Sequence, residues 1–151
     1  VDVAGHIEFN VNSPLIAEDL DFSLAGSGYI KLNERTTANK VEIEIAGSAT
    51  MEAVDLHCNS IDSNIAGSGT IKLTGSAEKA SFEIAGSGDV RSFDFVVDNL
   101  HCSIAGSGDI EAFANNKINF DVAGSGKLKY KGNATDINRS IAGSGSVTKV
   151  D

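Results

Sequence analysis

The sequence predicts an all-β chain wound as a right-handed parallel β-helix, a solenoid of about seven to eight coils of roughly 20 residues each. Three observations predict it. The phrase Ala-Gly-Ser-Gly begins at Ala25, Ala66, Ala85, Ala105, Ala123 and Ala142, with the variant Ala-Gly-Ser-Ala at Ala46, and successive copies lie 21, 20, 19, 20, 18 and 19 residues apart. Every copy is flanked by aliphatic residues at fixed positions, and the positions between them are polar. Helical spacing is nowhere sustained, while valine, isoleucine, phenylalanine and threonine suit strands. The right hand follows from the near-universal right-handed crossover between parallel strands.

Each coil opens with a strand that runs into the phrase. The residue before the phrase is Leu24, Ile45, Ile65, Ile84, Ile104, Val122 or Ile141, always aliphatic. Two residues earlier stand Phe22, Ile43, Ser63, Phe82, Cys102, Phe120 and Arg139, and two earlier again Leu20, Val41, Ile61, Ala80, Leu100, Ile118 and Ile137. Ser23, Glu44, Asn64, Glu83, Ser103, Asp121 and Ser140 interleave with them, and this alternation marks a strand with one buried face. Ile65, Ile84 and Ile104 are expected to stack along the axis.

The corner comes next. Gly26, Gly28, Gly47, Gly67, Gly69, Gly86, Gly88, Gly106, Gly108, Gly124, Gly126, Gly143 and Gly145 form the structural repeat, expected where stacked coils leave no room for a Cβ or where the bend needs an angle a Cβ forbids. Ala49 replaces the second glycine in one coil. A second strand leaves the corner through Ile30, Met51, Ile71, Val90, Ile110, Leu128 and Val147, so each coil is expected to hold two apolar strand segments.

The ends must guard open strand edges. Arg139 and Lys149 fall in rows that are apolar in most earlier coils, as expected where the core meets solvent. At the other end the first coil, Val1 to Asn12, has no such gatekeeper before Glu8. Its edge is expected to be covered by a missing N-terminal segment, by the Asn12-Ser13-Pro14 loop folding back, or by a second molecule meeting it end to end. The chain opens on Val1 rather than Met, which suggests a processed or excised product.

Composition bounds the function. The 151 residues make one domain, with 41% hydrophobic residues, enough for a continuous core. A net charge of −9 repels phosphate backbones, so nucleic acid is not an expected partner. No apolar run approaches the ~20 residues that span a bilayer, so the chain is not expected to be transmembrane.

Candidate chemistry is sparse. The Gly-x-Gly pattern lacks the helix and third glycine of a nucleotide loop. The residue after the phrase is acidic only at Asp89 and Asp109, which would stack about 4.8 Å apart and are the only weak candidates for a metal. No cofactor is implied. His6, His57 and His101 lack metal-ligand spacing and read as surface residues. Leu-His-Cys occurs twice, at His57-Cys58 and His101-Cys102, but adjacent strand residues point to opposite faces, so neither pair joins a base to a thiol. The thiols are expected to be free, since the register sets Cys58 and Cys102 two coils apart, beyond the ~7 Å reach of a disulfide. Glu42, Glu44, Asp62, Glu83 and Asp121 form an outward acidic stripe, read as a solvated face.

The recurrent Ala-Gly-Ser-Gly followed by an aliphatic residue, and the closing run Tyr130-Lys131-Gly132-Asn133 leading through Ile137 to Ile141-Ala142-Gly143-Ser144-Gly145-Ser146-Val147-Thr148-Lys149-Val150, resemble the bacterial "putative auto-transporter adhesin, head GIN domain" family. The likeness covers nearly the whole chain. It implies a right-handed parallel β-helix exported to the cell envelope or beyond, and it brings no catalytic residues. Such domains often carry Ser-Gly-Ser-Gly-Asp, where this chain has Ala first in every copy, and they tend to have a longer segment before the glycine coils, so an N-terminal cap is expected to be lacking.

The function expected is that of a non-enzymatic surface or envelope module, adhesin-like, with an unknown glycan or protein as partner and end-to-end self-association as a further possibility. The alternative is a carbohydrate-active enzyme, a polysaccharide lyase or hydrolase, which needs carboxylates and basic residues converging on one cleft.

Overall fold

The structure is a computed structural model that describes residues 2–150, and all its regular elements are strands. In chain order they are β1 (Asp2–Val11), β2 (Leu15–Gly47), β3 (Thr50–Gly67), β4 (Thr70–Gly86), β5 (Asp89–Gly106), β6 (Asp109–Gly124), β7 (Lys127–Lys131), β8 (Asp136–Gly143) and β9 (Ser146–Lys149). Every pairing is parallel and joins a coil to the next, in the order β1-β2-β3-β4-β5-β6-β7-β9, with β8 also lying on β6. The result is a β-solenoid of about seven turns.

The register follows the repeat. Ile45, Ile65, Ile84, Ile104, Val122 and Ile141 are paired in succession, as are Ile30, Met51, Ile71, Val90, Ile110, Leu128 and Val147. All but the members of the terminal coil are buried. Stacking identical rows carries the hydrophobic stabilisation from coil to coil, at about 25 cal/mol for each Å² of apolar surface removed from water.

Where two strand segments per coil are expected, there are three. Register shifts between Leu32 and Arg35, Ala53 and Leu56, and Lys72 and Thr74 separate a middle stretch from the other two. Its inward rows are Thr36, Leu56, Gly75 and Phe95, then Ala38, Cys58, Ala77, Val97 and Ala114. The two Leu-His-Cys copies therefore lie on different stretches, Cys58 in the middle one and Cys102 between Phe82 and Phe120. Both thiols are free and buried, and both histidines point outward.

The two glycines of the corner answer to different constraints. Gly67 has φ +118°, and a Cβ there would lie 2.6 Å from the Gly47 carbonyl oxygen. That carbonyl accepts the Ser68 N–H at 2.9 Å, so the close approach is part of the stack. Gly69 has ordinary backbone angles; its missing Cβ would meet the Ile45 side chain of the preceding coil.

At the first coil, β1 pairs only with β2, leaving Ile7 38% exposed and Val3 and Phe9 half-buried. The Asn12-Ser13-Pro14 loop does not fold back over this edge. Asn12 instead sits in line with the next coil, its Oδ1 accepting from Asn33 Nδ2 at 2.7 Å. Of the three expected covers the loop is therefore not one; a preceding segment, a second molecule and Val1 all lie outside the described residues. At the far end Arg139 lies on Phe120 and Lys149 on Tyr130, as expected of charged residues closing the stack.

Candidate functional site

Because successive residues of a strand alternate faces, each outward row carries one side chain per coil about 4.8 Å from the next. On the middle stretch this brings together residues far apart in sequence. Thr37, His57 and Ser76 are register partners, as are Arg35 and Asp55, and Asp55 shares a face with His57 two residues on. Arg35 Nε donates to Asp55 Oδ2 at 2.9 Å, His57 Nε2 meets Asp55 Oδ1 at 2.6 Å, and His57 Nδ1 lies 2.9 Å from Ser76 Oγ.

A carboxylate can only accept, so the Asp55 contact places the ring proton on Nε2 and leaves Nδ1 to accept from the Ser76 hydroxyl. The Arg35 guanidinium, and after it His57, hold the Asp55 carboxyl below its usual range, so the carboxylate persists. A hydroxyl, a base and an orienting carboxylate in this order are the parts of an acyl-transfer site. The network is half open to solvent, with the His57 side chain 38% exposed. His6 Nδ1 and Ser27 Oγ form the same cross-coil pair at 3.3 Å with no carboxylate bonded to the ring among the described residues, so a His–Ser rung also occurs as plain ladder pairing.

Beside this network lies a shallow hollow of about 330 Å³ where the outgoing strand meets the middle stretch. Glu52, Lys72, Arg91 and Glu111 form one outward row along it, and Val54, Thr74, Phe93 and Asp94 line its other side. Val54 is 41% exposed, and Lys131 Nζ sits 4.7 Å from the centroid of the Phe93 ring. Tyr29 donates to Glu52 Oε2 at 2.6 Å, which orients that carboxylate. This joins carboxylates, cations and an aromatic ring in one concavity, a convergence that a glycan-binding face and the carbohydrate-active alternative both require.

The predicted acidic stripe is present on the incoming strand. Glu42 pairs in register with Asp62, and Glu44, Asn64, Glu83, Ser103 and Asp121 follow one another in the adjacent row. Asp2 and Asp21 join Glu42, Asp62 and Glu83 around a hollow of about 470 Å³; Asp121 lies beyond it. Lys40 pairs with Glu42 and holds its carboxyl below the usual range. Asp89 and Asp109 are register partners, with Thr70 before them and Lys127 after. Among the described residues no group of three or more His, Cys, Asp or Glu side chains is placed to hold a metal ion.

Sequence reasoning missed the His57–Ser76 contact and the hollow at Phe93. The signal for the first was available, because His57 and Ser76 are 19 residues apart, one coil period. It also missed the asparagine pairs along the corners, Asn59 to Asn39 at 2.5 Å and Asn116 to Asn99 at 3.0 Å.

Comparison with known proteins adds a family. Residues 2–134 match a family model described as putative auto-transporter adhesin, head GIN domain. A crystal structure of a putative adhesin from Parabacteroides distasonis is similar at TM-score 0.89 and 30% identity over 98% of this chain and 64% of that one. A putative lipid binding protein from the same organism is similar at TM-score 0.81 and 30% identity, over 97% of this chain and 61% of that one. A putative adhesin from Bacteroides fragilis, 18% identical over 96% of this chain and 91% of that one, shares the fold at TM-score 0.83. The chain thus spans less than two thirds of the first two structures. No curated protein matches. No helix among the described residues is long and apolar enough to cross a membrane.

Proposed function

The chain belongs to the family described as putative auto-transporter adhesin, head GIN domain, and from that premise we propose that it is a rigid binding module of the bacterial cell envelope or surface, engaging a glycan or protein through a lateral face. The observation that carries this reading is the hollow lined by Val54, Phe93 and the row Glu52, Lys72, Arg91, Glu111, since a few convergent polar groups beside exposed apolar surface are what a binding site needs. The stack of coils supports a module whose binding groups are held in fixed register.

Beads coated with the chain should attach to mucin-coated or extracellular-matrix-coated glass above the level of albumin-coated beads. Attachment equal to albumin on every surface would overturn the reading.

A second reading, ester hydrolysis, is favoured by one observation, the Ser76–His57–Asp55 geometry. In it Ser76 Oγ attacks the ester carbonyl as its proton passes to His57 Nδ1, the alcohol leaves with that proton, and water then releases the acid from Ser76. Hydrolysis of p-nitrophenyl acetate separates the two readings. A rate unchanged by Ser76→Ala supports the binding module alone, and a rate abolished by it supports the hydrolase.

A further inference from the structure

We infer that the hollow at Phe93 is a binding site for a neutral oligosaccharide lying along the coil axis. The inference rests on the reading of the chain as a surface binding module and names the ligand of that site. The row Glu52, Lys72, Arg91 and Glu111 sets two cations between two carboxylates in four successive coils. An extended polymer laid along the stack meets one such rung about every 4.8 Å. Sugar hydroxyls both donate and accept, so one chain can give protons to Glu52 and Glu111 and take them from Lys72 and Arg91. Tyr29 already fixes the Glu52 carboxylate, which lowers the ordering cost of such a bond.

The apolar side of the hollow suits the C–H face of a sugar ring. Val54 is exposed, and the Lys131 ammonium over the Phe93 ring anchors that ring at the surface it lines. Charge selects a neutral ligand. Within the lining of the hollow three carboxylates, Glu52, Asp94 and Glu111, stand against two cations, Lys72 and Arg91, on a chain of net −9. A polyanion would gain nothing there and would be repelled by the rest of the surface. A protein partner needs roughly 800 Å² of matched surface on each side, and a hollow of about 330 Å³ fits a short glycan instead.

The test is an amide correlation spectrum of the ¹⁵N-labelled chain titrated separately with cellohexaose, maltohexaose and mannohexaose, with a hyaluronan hexasaccharide as the anionic arm. At least one neutral hexasaccharide should shift amides around Lys72, Arg91 and Phe93. Phe93→Ala and Arg91→Ala, each confirmed as folded by an otherwise unchanged spectrum, should each weaken that binding roughly tenfold. No shift with any neutral sugar, shifts on the Glu42 and Glu83 face, or equal binding of hyaluronan would overturn the inference. Bead attachment that survives Phe93→Ala unchanged would refute this site while leaving the module reading intact.

Discussion

A Cβ on Gly69 would lie 2.6 Å from Cγ2 of Ile45 in the preceding coil. The same contact recurs for Gly88 with Ile65 and for Gly126 with Ile104, so the second glycine of the phrase makes room for the β-branch below it. Ala49 is the exception, and its place in the repeat falls one coil after Leu24, the one member of that aliphatic row without a β-branch. Gly69→Ala should therefore destabilise by about 1–3 kcal/mol, and Ile45→Leu in the same chain should recover part of it, with a coupling on the order of 1 kcal/mol. Urea titrations of the four proteins of the cycle measure this. Strictly additive losses would remove the β-branch as the cause.

The first glycine should behave differently. Gly67→Ala puts a side chain at positive φ and against the Gly47 carbonyl oxygen, costing at least about 1–3 kcal/mol with no neighbouring side chain whose trimming restores it. Gly5→Ala, at φ +102° with nothing within 4 Å of the added Cβ, should bear the backbone strain alone. Equal losses at the two positions in thermal melts would show that the carbonyl contact contributes nothing.

Ser63 occupies an inward row between Ile43 and Phe82, and its buried hydroxyl has no hydrogen-bond partner among the described residues. Ser92, also inward, donates to the Glu111 carbonyl oxygen at 2.7 Å. Ser63→Ala should be neutral or stabilising by up to about 1 kcal/mol, and Ser92→Ala destabilising by about as much. A loss above that size at Ser63, read from urea midpoints, would mean that its hydroxyl is bonded to a trapped water.

Burial pushes the Cys58 thiol up to about 11 and the Cys102 thiol higher still. The folded chain keeps protons that the unfolded chain releases from about pH 8.5, so this contribution to stability is full below that pH and is lost as pH rises toward about 11. Stability should fall over that alkaline window, and less steeply in Cys58→Ala. Ellman's reagent should find neither thiol at neutral pH in the native protein and both in denaturant; rapid native labelling would contradict the burial of these rows.

The solenoid was legible because its two strongest rows are unbroken aliphatics at a fixed offset from the glycine phrase. The middle stretch was not, because its inward positions hold Thr36, Gly75, Ala38 and Ala77 beside Leu56 and Phe95, and its length varies from coil to coil. A row of mixed small residues at shifting offsets gives no periodic signal. The hollow was hidden for the same reason, since Phe93 reaches the surface at a register shift; His57 and Ser76 lie in plain register one coil period apart, and their contact was missed because the middle stretch itself was not recognised. Only the acidic stripe, which lies on a regular stretch, could be placed residue by residue from the alternation.

Pairing that runs strictly from one coil to the next turns the molecule into a line of junctions in series. A pull along the stack bears on backbone hydrogen bonds lying parallel to it, and all rungs between two coils share the load. The junctions are unequal, since β9 is held to β7 through only the four register pairs from Lys127–Ser146 to Tyr130–Lys149. Among the described junctions the one between β7 and β9 should therefore yield first under tension, while the coils that carry Lys72, Arg91 and Phe93 keep their shape.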